Sequence, residues 1–212
     1  EKDIGNQPWP WNYKETNVLV PPPYSTGTVD VVNNTPTVTG TLGNLPNWTP
    51  YIGQIGWRLR FGNSNLDYII SSIVNATTIT LEQPVNLSAS LVASSYTLYK
   101  DTYEYPSDYM IGSDVALLQP IVRSRIPKIP RYRFEMAMNA GLRSFSTNIQ
   151  MFYCDQGQTS AGRFQFRLGP PPAGPCELRL CYHSTAPDLT SITDATLLPE
   201  GYDEIIGLMA AS

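Results

Sequence analysis

Between residues 24 and 100 apolar and polar positions alternate with a period of two, the spacing of strands that bury one face. Thr28–Val32 (TVDVV) and Thr37–Thr41 (TVTGT) flank Asn33-Asn34, and asparagine tolerates the positive φ that a tight hairpin turn requires. Gly56–Phe61 (GWRLRF) and Asp67–Ile73 (DYIISSI) flank Gly62-Asn63-Ser64-Asn65 and predict a second hairpin. Thr77–Leu81 and Ser95–Lys100 (SYTLYK) predict two further strands. Short strands at this spacing predict a small sandwich or barrel.

The pattern changes at Pro106-Ser107-Asp108. Ser107 or Asp108 can cap a short helix that runs to Leu118 and is stopped by Pro120. Strand spacing returns at Asn148–Tyr153, Arg163–Leu168 and Glu177–Tyr182, the last two joined by the loop Gly169–Gly174 (GPPPAG). Pro199-Glu200 is a good helix opening, followed by the apolar Ile205, Ile206, Leu208 and Met209. That helix runs uncapped to the last residue. It predicts a packing partner outside the sequence, and a chain that is processed or part of a longer protein.

Residues 1–23 are rich in Pro and Trp, and Pro8, Pro10 and Pro21–Pro23 favour extended backbone over helix. Trp9, Trp11 and Tyr13 then fall on one side, to pack on the chain's own core or to dock on a neighbouring subunit. The expected organisation is an arm (1–23) and a small β-domain (24–100) inserted into or appended to a second β-rich body. That body is formed by 101–212 together with the arm. The fold class is mainly β, with one or two short helices.

Composition sharpens this picture. Apolar residues make up 42% and charged residues 15%, against roughly a quarter charged in ordinary globular proteins. Such a surface suits burial against neighbours better than free solution. The net charge of −4 argues against ordinary nucleic-acid binding, which needs clustered Lys and Arg. No apolar run approaches the roughly 18 residues of a membrane helix, and no signal peptide opens the chain. Cys154, Cys176 and Cys181 lack metal-site spacing. Cys176 and Cys181 would face opposite sides of one strand, so reduced thiols, as in a bacterial cytoplasm, are expected.

Candidate chemistry is sparse. There is no Walker loop, no GxGxxG after a strand and no GxSxG elbow. The single histidine, His183, shares a strand face with Cys181, Arg179 and Glu177, but residues two apart on a strand project in parallel and make a poor nucleophile–base pair. Asp101, Glu104, Asp108 and Asp114 lie among tyrosines; a glycosidase would need two of them about 5–10 Å apart in one cleft. Their bland reading is a strand end, a turn and a helix cap. Asn33, Asn47, Asn75 and Asn86 open N-x-S/T triplets, which carry no weight without a secretory route. A carbohydrate- or receptor-binding module would gather Trp48, Tyr51 and Trp57 into one shallow exposed patch. The one charge asymmetry is Arg123, Arg125, Lys128, Arg131 and Arg133, with no acid between Asp114 and Glu135. It reads as a solvated loop, as intersubunit ion pairs, or as a positive surface presented to DNA or to an acidic partner.

Three stretches together resemble the head-to-tail adaptor proteins of tailed bacteriophages, particularly the tail-tubular type of short-tailed phages. They are Ser25–Leu81 (with TGTVDVVNNTPTVTGT, IGWRLRFG and YIISSIVNATTITLEQP), YEYPSDYMIGSDV at 103–115, and RFQFRLGPPPAGPCELRLCYHSTAPDLTSITDATLLP at 163–199. Tyr105-Pro106 stands where Leu-Pro is commoner in that family. The N-terminal helix and C-terminal helical tail usual in it are not present. The resemblance implies a non-enzymatic virion protein of the neck, assembled in the host bacterial cytoplasm. It would form a homo-oligomeric ring, commonly of twelve copies, between the portal protein and the tail tube or nozzle. DNA would pass through the lumen without sequence recognition, and no cofactor or membrane is needed. Trp9, Trp11, Tyr13, the five basic residues, Ile205 and Met209 are the expected contact residues. Removing the arm should weaken assembly and leave the β-core folded.

Overall fold

The structure, a computed structural model, describes residues 12–62, 66–118, 123–139 and 151–185. Its strands are β1 (Tyr13–Val20), β2 (Val29–Val31), β3 (Thr37–Gly40), β4 (Trp57–Phe61), β5 (Asp67–Asn75), β6 (Thr78–Leu81) and β7 (Leu91–Ser94), followed by β8 (Tyr96–Lys100), β9 (Thr102–Glu104), β10 (Tyr109–Leu118) and β11 (Arg123–Ile126). A helix, α1 (Arg131–Asn139), precedes β12 (Phe152–Gln158), β13 (Phe164–Gly169) and β14 (Cys176–Ser184). The fold is mainly β, built of curled sheets.

Both expected hairpins form. β2 pairs with β3 antiparallel, Val31 opposite Val38, and Asn34 in the turn takes φ 62°. β4 pairs with β5, Leu59 opposite Tyr68. The alternation WRLRF buries Trp57, Leu59 and Phe61 and leaves the two arginines half-buried on the other face. These strands join one seven-stranded sheet in the order β7-β2-β3-β6-β5-β4-β8. Its end strands, β7 and β8, are separated in sequence by Ser95 alone, so the sheet must curl until its two ends meet there. Ala93 at φ 49° supplies the bend. The interior is filled by Val29, Val38, Trp48, Trp57, Ile79 and Leu98, among others. The strand β7 lacks a clear sequence signal, since its four residues are only half-buried or exposed. The triplet asparagines have turn work: Asn33, Asn47 and Asn75 each accept a backbone N–H within two residues.

The second body packs a four-stranded sheet, β1-β14-β10-β11, on a three-stranded sheet, β12-β13-β9. Val20, Val115, Leu178 and Leu180 of the first meet Tyr103, Tyr153, Phe166 and Leu168 of the second. Val20 is fully buried in that core. The arm is therefore divided: Tyr13–Val20 is an integral strand paired along its length with β14, and its removal takes away part of the sheet. Of the arm, residues 1–11 lie outside the described residues.

Two expectations for this half are corrected. The stretch 107–118 is not a helix: Ser107 and Asp108 form a turn, with the Tyr109 N–H donated to the Pro106 carbonyl, and β10 follows. Pairing with β14 on one side and β11 on the other outweighs the capping signal, with irregular register between Tyr109 and Asp114 and φ +68° at Gly112. Nor is the basic run 123–133 a loop throughout. Arg123–Ile126 is strand β11, and α1 begins at Arg131, where Phe134 N–H bonds the Pro130 carbonyl. Phe134 and Met138, one turn apart, bury themselves on Cys154. Gly169 makes this packing possible, since a Cβ there would stand 2.8 Å from the Met138 sulfur and 2.9 Å from the Phe134 ring. The helix expected after Pro199 lies outside the described residues.

Candidate functional site

Two features stand out where the elements meet: a buried ionic joint and an aromatic cleft. The joint sits where β8 of the curled sheet runs through Asp101 into β9 of the body. Asp101 is 1% exposed. Its Oδ2 takes the Arg167 guanidinium at 2.8 Å (Nη2) and 3.0 Å (Nε), and Thr102 donates to Oδ1 at 2.8 Å. Arg58 of β4 approaches Oδ2 at 2.6 Å through Nε, off the N–H axis, so that contact is ionic rather than a hydrogen bond. Arg167 reaches on to Glu135 of α1 at 2.6 Å and lies over the Phe134 ring at 4.8 Å. Asp101 thus ties the curled sheet to the body, and Arg167 carries the link on to Glu135 of the helix. Burial alone would depress the Arg167 guanidinium; Asp101 and Glu135 outweigh it and hold it above its ordinary value.

The cleft opens at one end of the body and has a volume of about 280 Å³. Tyr105 and Tyr109 stack at 4.1 Å with 13° between their planes, and Phe164 meets Tyr109 nearly edge-on at 5.5 Å. Met110, Gly112, Lys128, Asp155, Gly157 and Gln165 complete the lining. Lys128 and Asp155 pair at 2.6 Å, and Tyr105 donates its hydroxyl to Asp155 at 2.9 Å, so the charges are compensated within the cleft. Burial pulls the Lys128 ammonium down, but the bond to Asp155 prevails and raises it. Its members come from four stretches of chain, 105–112, 128, 155–157 and 164–165, so no local motif announces it.

The expected contact residues are dispersed. Tyr13 is 49% exposed and meets His183 edge-on at 5.7 Å. Arg125 stands exposed on β11, and Arg131 and Arg133 on α1. Lys128 belongs to the cleft. Arg123 is placed on β11 by its backbone. Trp9, Trp11, Ile205 and Met209 lie outside the described residues.

Asp101 and Asp108 have separate partners. Asp101 serves the joint, and Asp108 binds Lys14 at 2.6 Å and the Tyr182 hydroxyl at 2.9 Å, fastening β1 to β14 and the start of β10. Burial would raise the Asp108 carboxyl, yet those two bonds hold it below its ordinary value of 3.8. A depressed native value means stability present above that value and lost as pH falls through the native one. Replacing Lys14 by Met should therefore flatten the loss of stability between about pH 6 and about pH 3. Urea midpoints at both ends of that range measure it; equal slopes for the two proteins would refute the pairing. Tyr182 shares the site, its hydroxyl pushed up to about 12 by burial and by Asp108.

His183 Nδ1 is 2.9 Å from Asn12 Oδ1, and the Cys181 thiol points to Glu15 at 3.9 Å. All three cysteines are free. Burial pushes Cys154 up, and Cys176 up to about 11. Among the described residues no group of three His, Cys, Asp or Glu side chains could hold a metal, and no helix is long and apolar enough to cross a membrane.

The shallow patch expected of Trp48, Tyr51 and Trp57 is not formed. Trp48 is 0% and Trp57 1% exposed. Trp48 donates its Nε1–H to the Tyr96 hydroxyl at 3.0 Å, and Tyr51 covers Trp57 at 4.6 Å. These rings fill the curled sheet because alternation on β4 and the curl itself turn them inward. Comparison with protein-family models, with curated proteins and with solved structures finds no match to the chain.

Proposed function

We propose that this is a structural assembly protein: a subunit of a homo-oligomeric ring in the neck of a tailed bacteriophage. In this reading it joins the portal to the tail and surrounds the DNA passage. The observation that carries the proposal is where large apolar side chains stand. Leu42, Val92, Leu19 and Met136 are 92%, 79%, 71% and 66% exposed, although the interior of each half is filled. Two of these four, Leu42 and Met136, stand with further exposed apolar residues. Leu42, Leu45, Ile52 and Ile55 share the connection from β3 to β4, and Tyr132 and Met136 share one face of α1. The stretch 31–57 that carries the first group holds no charged residue. Grouped exposed aliphatics mark surfaces that another protein covers.

The order of the three family-like stretches supports the same reading. A ring needs no catalysis, only modest contacts multiplied by symmetry. Exposed Arg131 and Arg133 on α1 offer positive charge to an acidic neighbour or to DNA in the lumen. Electron microscopy and light scattering of the purified protein should reveal closed rings of about twelve copies. A single-chain mass at every concentration, or saturable binding of a glycan by such a monomer, would instead favour a carbohydrate- or receptor-binding module.

A further inference from the structure

We propose that β1 is an interface strand: its outer edge pairs antiparallel with the same edge of a second copy, across a twofold axis through Thr16. β1 ends the sheet β1-β14-β10-β11, and among the described residues no strand pairs with its outer edge. It runs eight residues in unbroken register with β14, without proline or bulge. Such an edge presents a row of N–H and C=O groups to any strand that matches it. The other edges of the body are guarded. β11 has four residues, two of them arginines, and its chain passes on to pair with β12 at Lys128 and Tyr153. β12 is broken by a register shift between Asp155 and Gly157, and β9 has three residues. On β1 the two charges are engaged within their own chain, Lys14 by Asp108 and Glu15 by Arg179 at 3.2 Å.

The strand fits itself, which names the partner. Val18 and Val20 turn toward the core of the body, while Tyr13, Glu15, Asn17 and Leu19 turn outward and are exposed. A twofold axis normal to the sheet keeps the outward faces of both copies on one side, so odd positions meet odd and even meet even. Centred on Thr16, the pairing sets Tyr13 opposite Leu19 twice, joining the two large apolar side chains that the strand exposes. Glu15 then faces Asn17, Lys14 faces Val18, and Thr16 faces its own copy. Aromatic–aliphatic and Thr–Thr pairs are favourable across strands, and no like charges meet. Centring on Glu15 would oppose two carboxylates, and centring on Asn17 would move Tyr13 against Pro21. One register remains. It merges the two four-stranded sheets into one.

The contact closes at two copies and is separate from the head-to-tail contacts of a ring, so it does not rest on the ring reading. A ring that carried it would stand back to back with a second ring. Its test uses the full chain with single cysteines added on β1. Across the axis the two copies of residue 16 lie about 5 Å apart between Cα atoms, within disulfide reach. The two copies of residue 17 lie about 8 Å apart, beyond it. Under mild oxidation Thr16→Cys should therefore cross-link into two-chain species about tenfold faster than Asn17→Cys or than the natural chain, whose own three thiols set the background. Leu19→Lys, exposed and beside Glu177 of β14, should keep the fold and weaken association about tenfold by light scattering, since its pair is lost twice. Equal cross-linking at 16 and 17, or undiminished association of Leu19→Lys, would overturn the proposal. So would a natural chain that stays single at every concentration. Rings seen without the excess at residue 16 would sink this contact and leave the ring reading standing. A chain that stops at two copies, with that excess, would support the contact and count against the ring.

Discussion

Replacing Asp101 by Asn should lower the unfolding free energy by about 3–5 kcal/mol, because it leaves buried guanidinium charge without its counter-ion. Arg167 is 8% exposed and Arg58 15% exposed at the side chain. With Asp101 neutral, the carboxylate left to Arg167 is Glu135, whose own side chain is 42% exposed. The asparagine amide would, in addition, turn an N–H toward the guanidinium in one of its two orientations. Glu135→Gln should cost about 1 kcal/mol or less, since that half of the ladder is open to water.

The decisive comparison is a double replacement, Asp101→Ala with Arg167→Met. If the cost of Asp101→Asn is an uncompensated charge, removing Arg167 as well should recover a good part of it. Methionine can keep contact with the Phe134 ring that the guanidinium now covers. Arg58 stands nearer to solvent and can relax toward it. Urea unfolding of the four proteins measures each value. A loss below about 1 kcal/mol for Asp101→Asn would mean that the ladder does not join the two halves.

The same region shows what the sequence could and could not announce. Strands such as WRLRF at 57–61 were legible because their alternation is local and the turns beside them carry Asn or Gly. The fold class followed from such segments. Residues 107–118 misled because Pro-Ser-Asp is a sound capping signal, and what overrides it, pairing with β14, comes from residues 59 to 75 positions away. The helix α1 has a signal of its own, Phe134 and Met138 at helical spacing after Pro130, which the arginines around it obscure. Asp101, Glu104 and Asp108 drew attention as a group through nearness in sequence. Folding assigns Asp101 to a joint and Asp108 to a strand fastening. The cleft was beyond reach, since Tyr109, Lys128, Asp155 and Phe164 come together only when the two sheets pack.

Gly56 is the second residue on which the joint turns, and Gly56→Ala should cost about 3 kcal/mol or more. Its φ of +83° already disfavours any side chain, and an added Cβ would stand 2.1 Å from the Thr102 carbonyl oxygen. That obstacle is backbone, so no rotamer change relieves it. The Gly56 carbonyl also accepts from the N–H groups of Asp101 and Thr102 at 3.2 and 3.3 Å, so the chain cannot move away without giving up both bonds. Gly53 supplies the control. It has φ +75° but nothing within 4 Å of its added Cβ, so Gly53→Ala carries backbone strain alone, about 1–2 kcal/mol. The excess at Gly56 measures the close approach between the curled sheet and the body. Because the clash lies at the junction and not inside either core, the two halves should loosen against each other first. A ring built from subunits of fixed shape would then assemble less well at temperatures where both cores remain folded. Paired thermal unfolding and light scattering would register that order; equal costs at Gly56 and Gly53 would show that the junction yields without resistance.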